Sequence, residues 1–95
     1  MPVTCQTITV LKPAHITATN MTIDHIDCDE PCDSTITITW TNTGSRTATI
    51  IPGIVVNGTR TAGTSMTLAK DQTSIQTFHV TGLTEGTYTV CPDPN

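Results

Sequence analysis

Residues 34–44 read S-T-I-T-I-T-W-T-N-T-G. Ile36, Ile38 and Trp40 fall on one side of an extended chain, and Thr35, Thr37, Thr39 and Thr41 fall on the other. Strict two-residue alternation marks a strand with one dry face and one wet face. β-branched residues and tryptophan suit a pleated surface, and the branching argues against a helix. Trp40 is the one tryptophan of the chain. Its size places it at the expected centre of the core, with the remaining strands arranged to cover its face.

The same period recurs between breaks. Residues 3–10 predict a first strand, stopped at Pro13, and residues 16–23 a second. Residues 24–33 form a loop carrying Pro31, Cys28, Cys32 and five of the eight acids. After the Trp40 strand come a short strand over 46–51, an interruption at Pro52-Gly53, and a continuation over 54–56. Asn57-Gly58 signals a tight hairpin, because a type I′ turn needs positive φ at both central positions. Residues 59–68 return. Residues 73–80 form a strand whose apolar positions slip phase, which predicts a β-bulge near Gln76 and Thr77. Residues 87–91 form the last strand. Nothing keeps helical period over two turns. Short strands at this spacing predict an all-β fold, an antiparallel β-sandwich of seven to eight strands with Greek-key connection. The expected core is Ile16, Met21, Ile23, Ile36, Ile38, Trp40, Ile51, Ile54, Val56, Leu68, Phe78, Val80, Tyr88 and Val90.

A chain of 95 residues makes one small domain with a thin core. Only 3% of it is aromatic, so aliphatic residues must fill the interior and a covalent staple is expected. About a quarter of the residues are threonine, which suits the solvent faces of strands. A net charge of −4 with four scattered cations disfavours nucleic acid and anionic membrane surfaces as partners. The longest apolar run, 50–56, contains proline and glycine and is too short to span a bilayer. Met1 leads directly into polar sequence with no visible signal peptide, so the chain reads as a mature or excised piece, or as one not secreted by that route.

Cys5, Cys28, Cys32 and Cys91 allow three pairings. In so small a domain disulfides are the default reading, and they imply an extracellular or cell-surface setting. Each would contribute about 2–4 kcal/mol. His25, Cys28, Cys32 and Cys91 form the competing zinc set, with spacing only loosely like that of zinc fingers. Asp24, Asp27, Asp29, Glu30 and Asp33 are candidate calcium ligands between modules or subunits, although the run lacks an EF-hand pattern and also reads as a solvated acidic loop. Asn20 and Asn57 stand in glycosylation sequons. The serines lie in no nucleophile elbow, the three histidines in no recognisable catalytic arrangement, and no phosphate-cradling glycine loop is present. The chain therefore reads as a protein that is not an enzyme.

From residue 16 onward, the alternating strand closing on Gly44, the V-V-N-G hairpin at 55–58, L-A-K-D-Q at 68–72 leading into a strand, and G-T-Y-T-V at 86–90 together resemble the cell-adhesion-related domain of bacteria and archaea (CARDB). The resemblance implies an immunoglobulin-like module over 16–95, found in archaeal and bacterial surface proteins and stalks, with no catalytic residues. Residues 1–15 precede it as an extra strand or arm, whose backbone groups need partners. It folds back on its own sheet, or it joins the sheet edge of a neighbour as a donated strand. Cys28–Cys32 or Cys32–Cys91 is expected inside the module, with the remaining cysteine meeting Cys5 of its own or another chain. The leading functional expectation is a structural subunit of a surface filament, sheath or adhesive stalk that self-associates. A carbohydrate- or protein-binding module and a viral decoration or spike protein are the alternatives.

Overall fold

The computed structural model describes residues 4–25 and 27–94. Eight strands follow in order: β1 (Ile16–Ile23), β2 (Cys32–Asn42), β3 (Ala48–Ile50), β4 (Gly53–Val56), β5 (Thr59–Ala62), β6 (Met66–Leu68), β7 (Thr73–Leu83) and β8 (Val90–Asp93). No helix forms among the described residues. All pairings are antiparallel and make three small sheets, β1-β2-β7, β3-β6 and β5-β4-β8. The fold is all-β and consistent with a β-sandwich.

β2 is the central strand of its sheet. Its even-numbered residues from Ser34 to Asn42 are buried and the threonines between them are half-exposed. Trp40, Ile36 and Ile38 are fully buried and pack with Ile16, Ile54, Met66, Leu68 and Phe78. On the wet side, hydroxyls pair across strands: Thr19 Oγ1 with Thr41 Oγ1 at 3.1 Å, and Thr49 Oγ1 with Thr67 Oγ1 at 2.8 Å. Such cross-strand pairs explain why threonine serves here without charge.

β3-β6 and β4-β5 are two lengths of one hairpin that turns at Asn57-Gly58, where φ is +48° and +87°. Between them the register slips by one residue. The Gly63 N–H bonds the Pro52 carbonyl at 2.7 Å, and the Gln76 side chain clamps the slip. Its Oε1 accepts from Thr64 N at 3.1 Å, and its Nε2 donates to Thr64 O at 2.7 Å. A Cβ on Gly63 would collide with Gln76 Oε1 and crowd the Phe78 ring and the Pro52 carbonyl at 2.9 and 3.0 Å, so glycine permits the close approach with the Gln76 clamp in place.

Several expected positions differ. The bulge anticipated at Gln76-Thr77 is absent, since β7 runs in register with β2 there. Gln76 and Phe78 point inward and Ile75 outward, 65% exposed, because Gln76 has both a donor and an acceptor waiting at Thr64. The register shifts lie instead between Ala18 and Asn20 and between Cys32 and Ser34. Met21, Ile51 and Tyr88 are exposed rather than in the core. Met21 is on an outer strand, Ile51 lies at the joint between β3 and β4, and Tyr88 lies in the loop before β8. Val90, Val56 and Val80 are half-buried against the core. Met66, expected only as part of a strand, is buried in it.

Candidate functional site

Two features occupy opposite poles of the sandwich. One is a groove beyond the start of β2, and the other is an arm leaving from beyond the end of β2. β2 runs from one to the other: its first residues to Ile36 line the groove, and Asn42 at its far end, roughly 20 Å on at strand rise, holds the base of the arm.

The groove has a volume of about 580 Å³ and opens between the end of β1, the start of β2 and the loop from β7 to β8. Ile23, Ile36, Leu83, Tyr88 and Val90 supply apolar lining, and Asp27, Asp29, Glu30 and Glu85 an acidic rim. Its walls are held by polar struts. The Asp24 carboxylate accepts from Thr35 N at 2.7 Å and from Ser34 Oγ at 3.1 Å. These bonds, led by the Thr35 amide, hold its pKa below the ordinary carboxylate value against the opposing effect of desolvation; His25 contributes further lowering. Asp33 Oδ1 accepts from Gly82 N at 2.9 Å, and Glu30 Oε2 from Glu85 N at 2.7 Å. Asn57 reaches across from the hairpin turn: its Oδ1 accepts from Thr89 N at 2.7 Å and its Nδ2 donates to Thr87 O at 3.3 Å. Tyr88 lines the groove and is 36% exposed, with its hydroxyl donating to Thr84 O at 2.9 Å.

The arm is anchored at its base. Lys12 O accepts from Ser45 N and Arg46 N at 3.1 and 3.2 Å, and His15 O accepts from Thr43 N at 2.8 Å. Asn42, fully buried, organises this pole. Its Oδ1 accepts from His15 N and Gly44 N, and its Nδ2 donates to Arg46 O and Leu68 O. A Cβ on Gly44 would strike the Pro13 carbonyl, so the arm can pass only over a glycine. Beyond Lys12 the chain leaves the body, and the molecule measures 79 × 20 × 18 Å. Residues 4–11 are exposed, with Ile8 at 88% and Val10 at 86%. The strand expected over 3–10 is not formed over residues 4–10, and Val3 lies outside the described residues. Its alternation is intact, but a strand exists only by pairing, and residues 4–10 are exposed and pair with no strand of their own chain.

Cys28 and Cys32 form a disulfide, and Cys5 and Cys91 are free and exposed. Of the two pairings expected inside the module, Cys28–Cys32 is formed and Cys32–Cys91 is not, and the remaining cysteine, Cys91, is not joined to Cys5 within the chain. Zinc is set aside for the same atoms, since two of its four ligands are consumed by the bond. The calcium set disperses: Asp24, Asp33 and Glu30 each brace a different backbone amide, and among the described residues no three acid, histidine or cysteine side chains come together to hold a metal ion. Asn20 is exposed on β1. Asn57 has both ends of its amide bonded, so its turn serves as a strut of the groove. Asn42 and Gln76 escaped sequence reasoning. Only their inward phase, in step with Trp40 and Phe78, signalled them.

The chain matches no family model, no curated protein and no solved structure.

Proposed function

We propose that this chain is a non-catalytic structural subunit of an extracellular filament, sheath or adhesive stalk, assembling by donation of the arm to a neighbouring copy. The carrying observation is polar: an exposed, apolar-alternating arm at one pole, and an apolar groove beside an outer strand at the other. Because donor and acceptor surfaces differ and lie at opposite ends, the contact is heterologous. Repeated, it propagates along the long axis rather than closing.

The finer fold fits this role. We read β1-β2-β7 as the A-B-E sheet and β5-β4-β8 as the C′-C-F sheet of an immunoglobulin-like Greek key, the architecture that the CARDB resemblance implies. In that scheme a G strand lies antiparallel beside F, and no described strand pairs with the outer edge of β8. A disulfide fits an oxidising exterior, and among the described residues there is no helix long and apolar enough to cross a membrane.

The test is the size of the full chain by sedimentation from low to high concentration, with electron microscopy of the concentrated sample. Growing linear species are expected. The double variant Ile8→Asp/Val10→Asp should fold like the parent, because both side chains are exposed in the monomer, and should remain monomeric. A parent that stays monomeric throughout, or a double variant that assembles equally well, rejects the proposal.

The exposed Tyr88 ring in the groove favours one second reading, a module that stacks a sugar ring. Calorimetric titration with soluble glycans, lost in Tyr88→Ala, would support it over assembly.

A further inference from the structure

Two cysteines remain outside the Cys28–Cys32 bond, and they lie on the two surfaces that strand donation brings together. We infer that Cys5 of one copy is joined by a disulfide to Cys91 of the next, with the donated arm running antiparallel to β8. This inference rests on the assembly reading above and adds its register and its covalent link.

The direction follows from topology. β8 runs from the groove pole toward the arm pole, since Val90 pairs with Val56 beside the Asn57 turn and Asp93 pairs with Gly53. A donor whose body stands beyond the groove must send its arm inward with the N-terminal end leading. Read outward from there, the arm runs opposite to β8, which is the better-bonded arrangement.

Side-chain parity then selects the register. Val90 packs on the core, so Cys91 faces outward, on the same face as Asp93 and its partner Arg60. On the arm, Ile8 and Val10 share one face, and Cys5 lies on the other. Turning Ile8 and Val10 into the groove therefore turns Cys5 outward, toward Cys91. With Cys5 opposite Cys91, Gln6 meets Val90 and Ile8 meets Tyr88. Val10 and Lys12 come over residues 84–86, where Lys12 approaches Glu85 and Glu30 of the rim. The only cation on the arm thus reaches the acidic edge.

Backbone phase agrees. Thr89 N and O both face Asn57. By two-residue alternation the peptide groups of Cys91 also face inward to β4, and those of Tyr88, Val90 and Pro92 face out. Gln6 and Ile8 would then exchange hydrogen bonds with Val90 and Tyr88, while Pro92, which has no N–H, accepts from Thr4 N and leaves the Thr4 carbonyl to solvent at the end of the ladder. Cys5 and Cys91 become a non-hydrogen-bonded pair, with Cα atoms about 4.5 Å apart. That separation falls within the range disulfides adopt, about 4.4–6.8 Å.

Closing the bond needs a two-electron oxidant, supplied as a small-molecule disulfide. One cysteine thiolate attacks it, forming a mixed disulfide and releasing one thiol. The other cysteine thiolate then displaces the second thiol. The protein gains one S–S bond, and two small thiols leave with the two protons and two electrons.

The experiment uses the full chain incubated with oxidised glutathione and run on gels without reductant. A ladder of monomer multiples, collapsed by dithiothreitol, is expected, with peptide mapping joining the Cys5 peptide to the Cys91 peptide. Cys5→Ser and Cys91→Ser should each remain single bands, and their mixture should yield covalent dimers and nothing larger. Dimers in either variant alone, or a mapped Cys5–Cys5 or Cys91–Cys91 link, overturn the inference. Sedimentation of the same samples separates the two levels. Assembly without a ladder rejects the register and leaves strand donation standing, whereas absence of both rejects strand donation itself.

Discussion

Asn42 Nδ2 donates to the Leu68 carbonyl at 3.0 Å, tying the end of β2 to the end of β6 in a different sheet. The same side chain bonds His15, Gly44 and Arg46, so one buried amide fastens the arm base, the turn after β2 and the facing sheet. All four of its hydrogen-bonding positions are used.

Replacing Asn42 by leucine should keep the volume and strand the partners. Several buried backbone groups would lose their bonds, at about 1–3 kcal/mol for each left without water. A loss of at least about 3 kcal/mol in urea unfolding is expected. A variant within about 1 kcal/mol of the parent would show that water satisfies this pole.

Trp40 is fully buried, and its Nε1 has no hydrogen-bond partner among the described residues. Trp40→Ala should cost about 3–5 kcal/mol. Trp40→Phe should cost much less than the lost area suggests, because it also removes an unpaired N–H worth about 1–3 kcal/mol. Equal losses in the two variants by chemical denaturation would contradict this account.

Neighbouring residues on β7 should respond in opposite ways to polarity. Ile75→Thr should change stability by less than about 0.5 kcal/mol, since the side chain faces water. Gln76→Leu should destabilise by about 2 kcal/mol, since Thr64 N and O lose their shared partner. The reverse ranking would mean that the inward phase of β7 is misassigned.

Asp24 has a folded pKa below its ordinary value, so its carboxylate stabilises the fold above the unfolded-state pKa, and the contribution fades as pH falls through the folded one. Asp24→Asn should lower the Tm at neutral pH, and the gap to the parent should narrow on acidification below the usual carboxylate range. A gap that stays constant with pH would show that Asp24 acts only through its shape.

Much of the fold was legible from local pattern. The alternation around Trp40 identified the central strand and its dry face, and Asn57-Gly58 located the hairpin, because both depend on neighbours a few residues apart. The candidate site was far less legible. Tyr88 alternates like a core residue, yet it lies at an open groove. Residues 3–10 alternate like a strand, yet over residues 4–10 they pair with nothing in their own body.

By itself, then, the sequence determined which backbone is extended, which face of β2 is dry and where the chain doubles back. These follow from side-chain period and from the φ that glycine and asparagine tolerate. Tertiary structure decided that Cys28 bonds Cys32, that Gln76 turns inward while Ile75 turns out, and that arm and groove stand at opposite poles. Each of these depends on which distant backbone group lies within reach, and that distance is set only when the sheets pack.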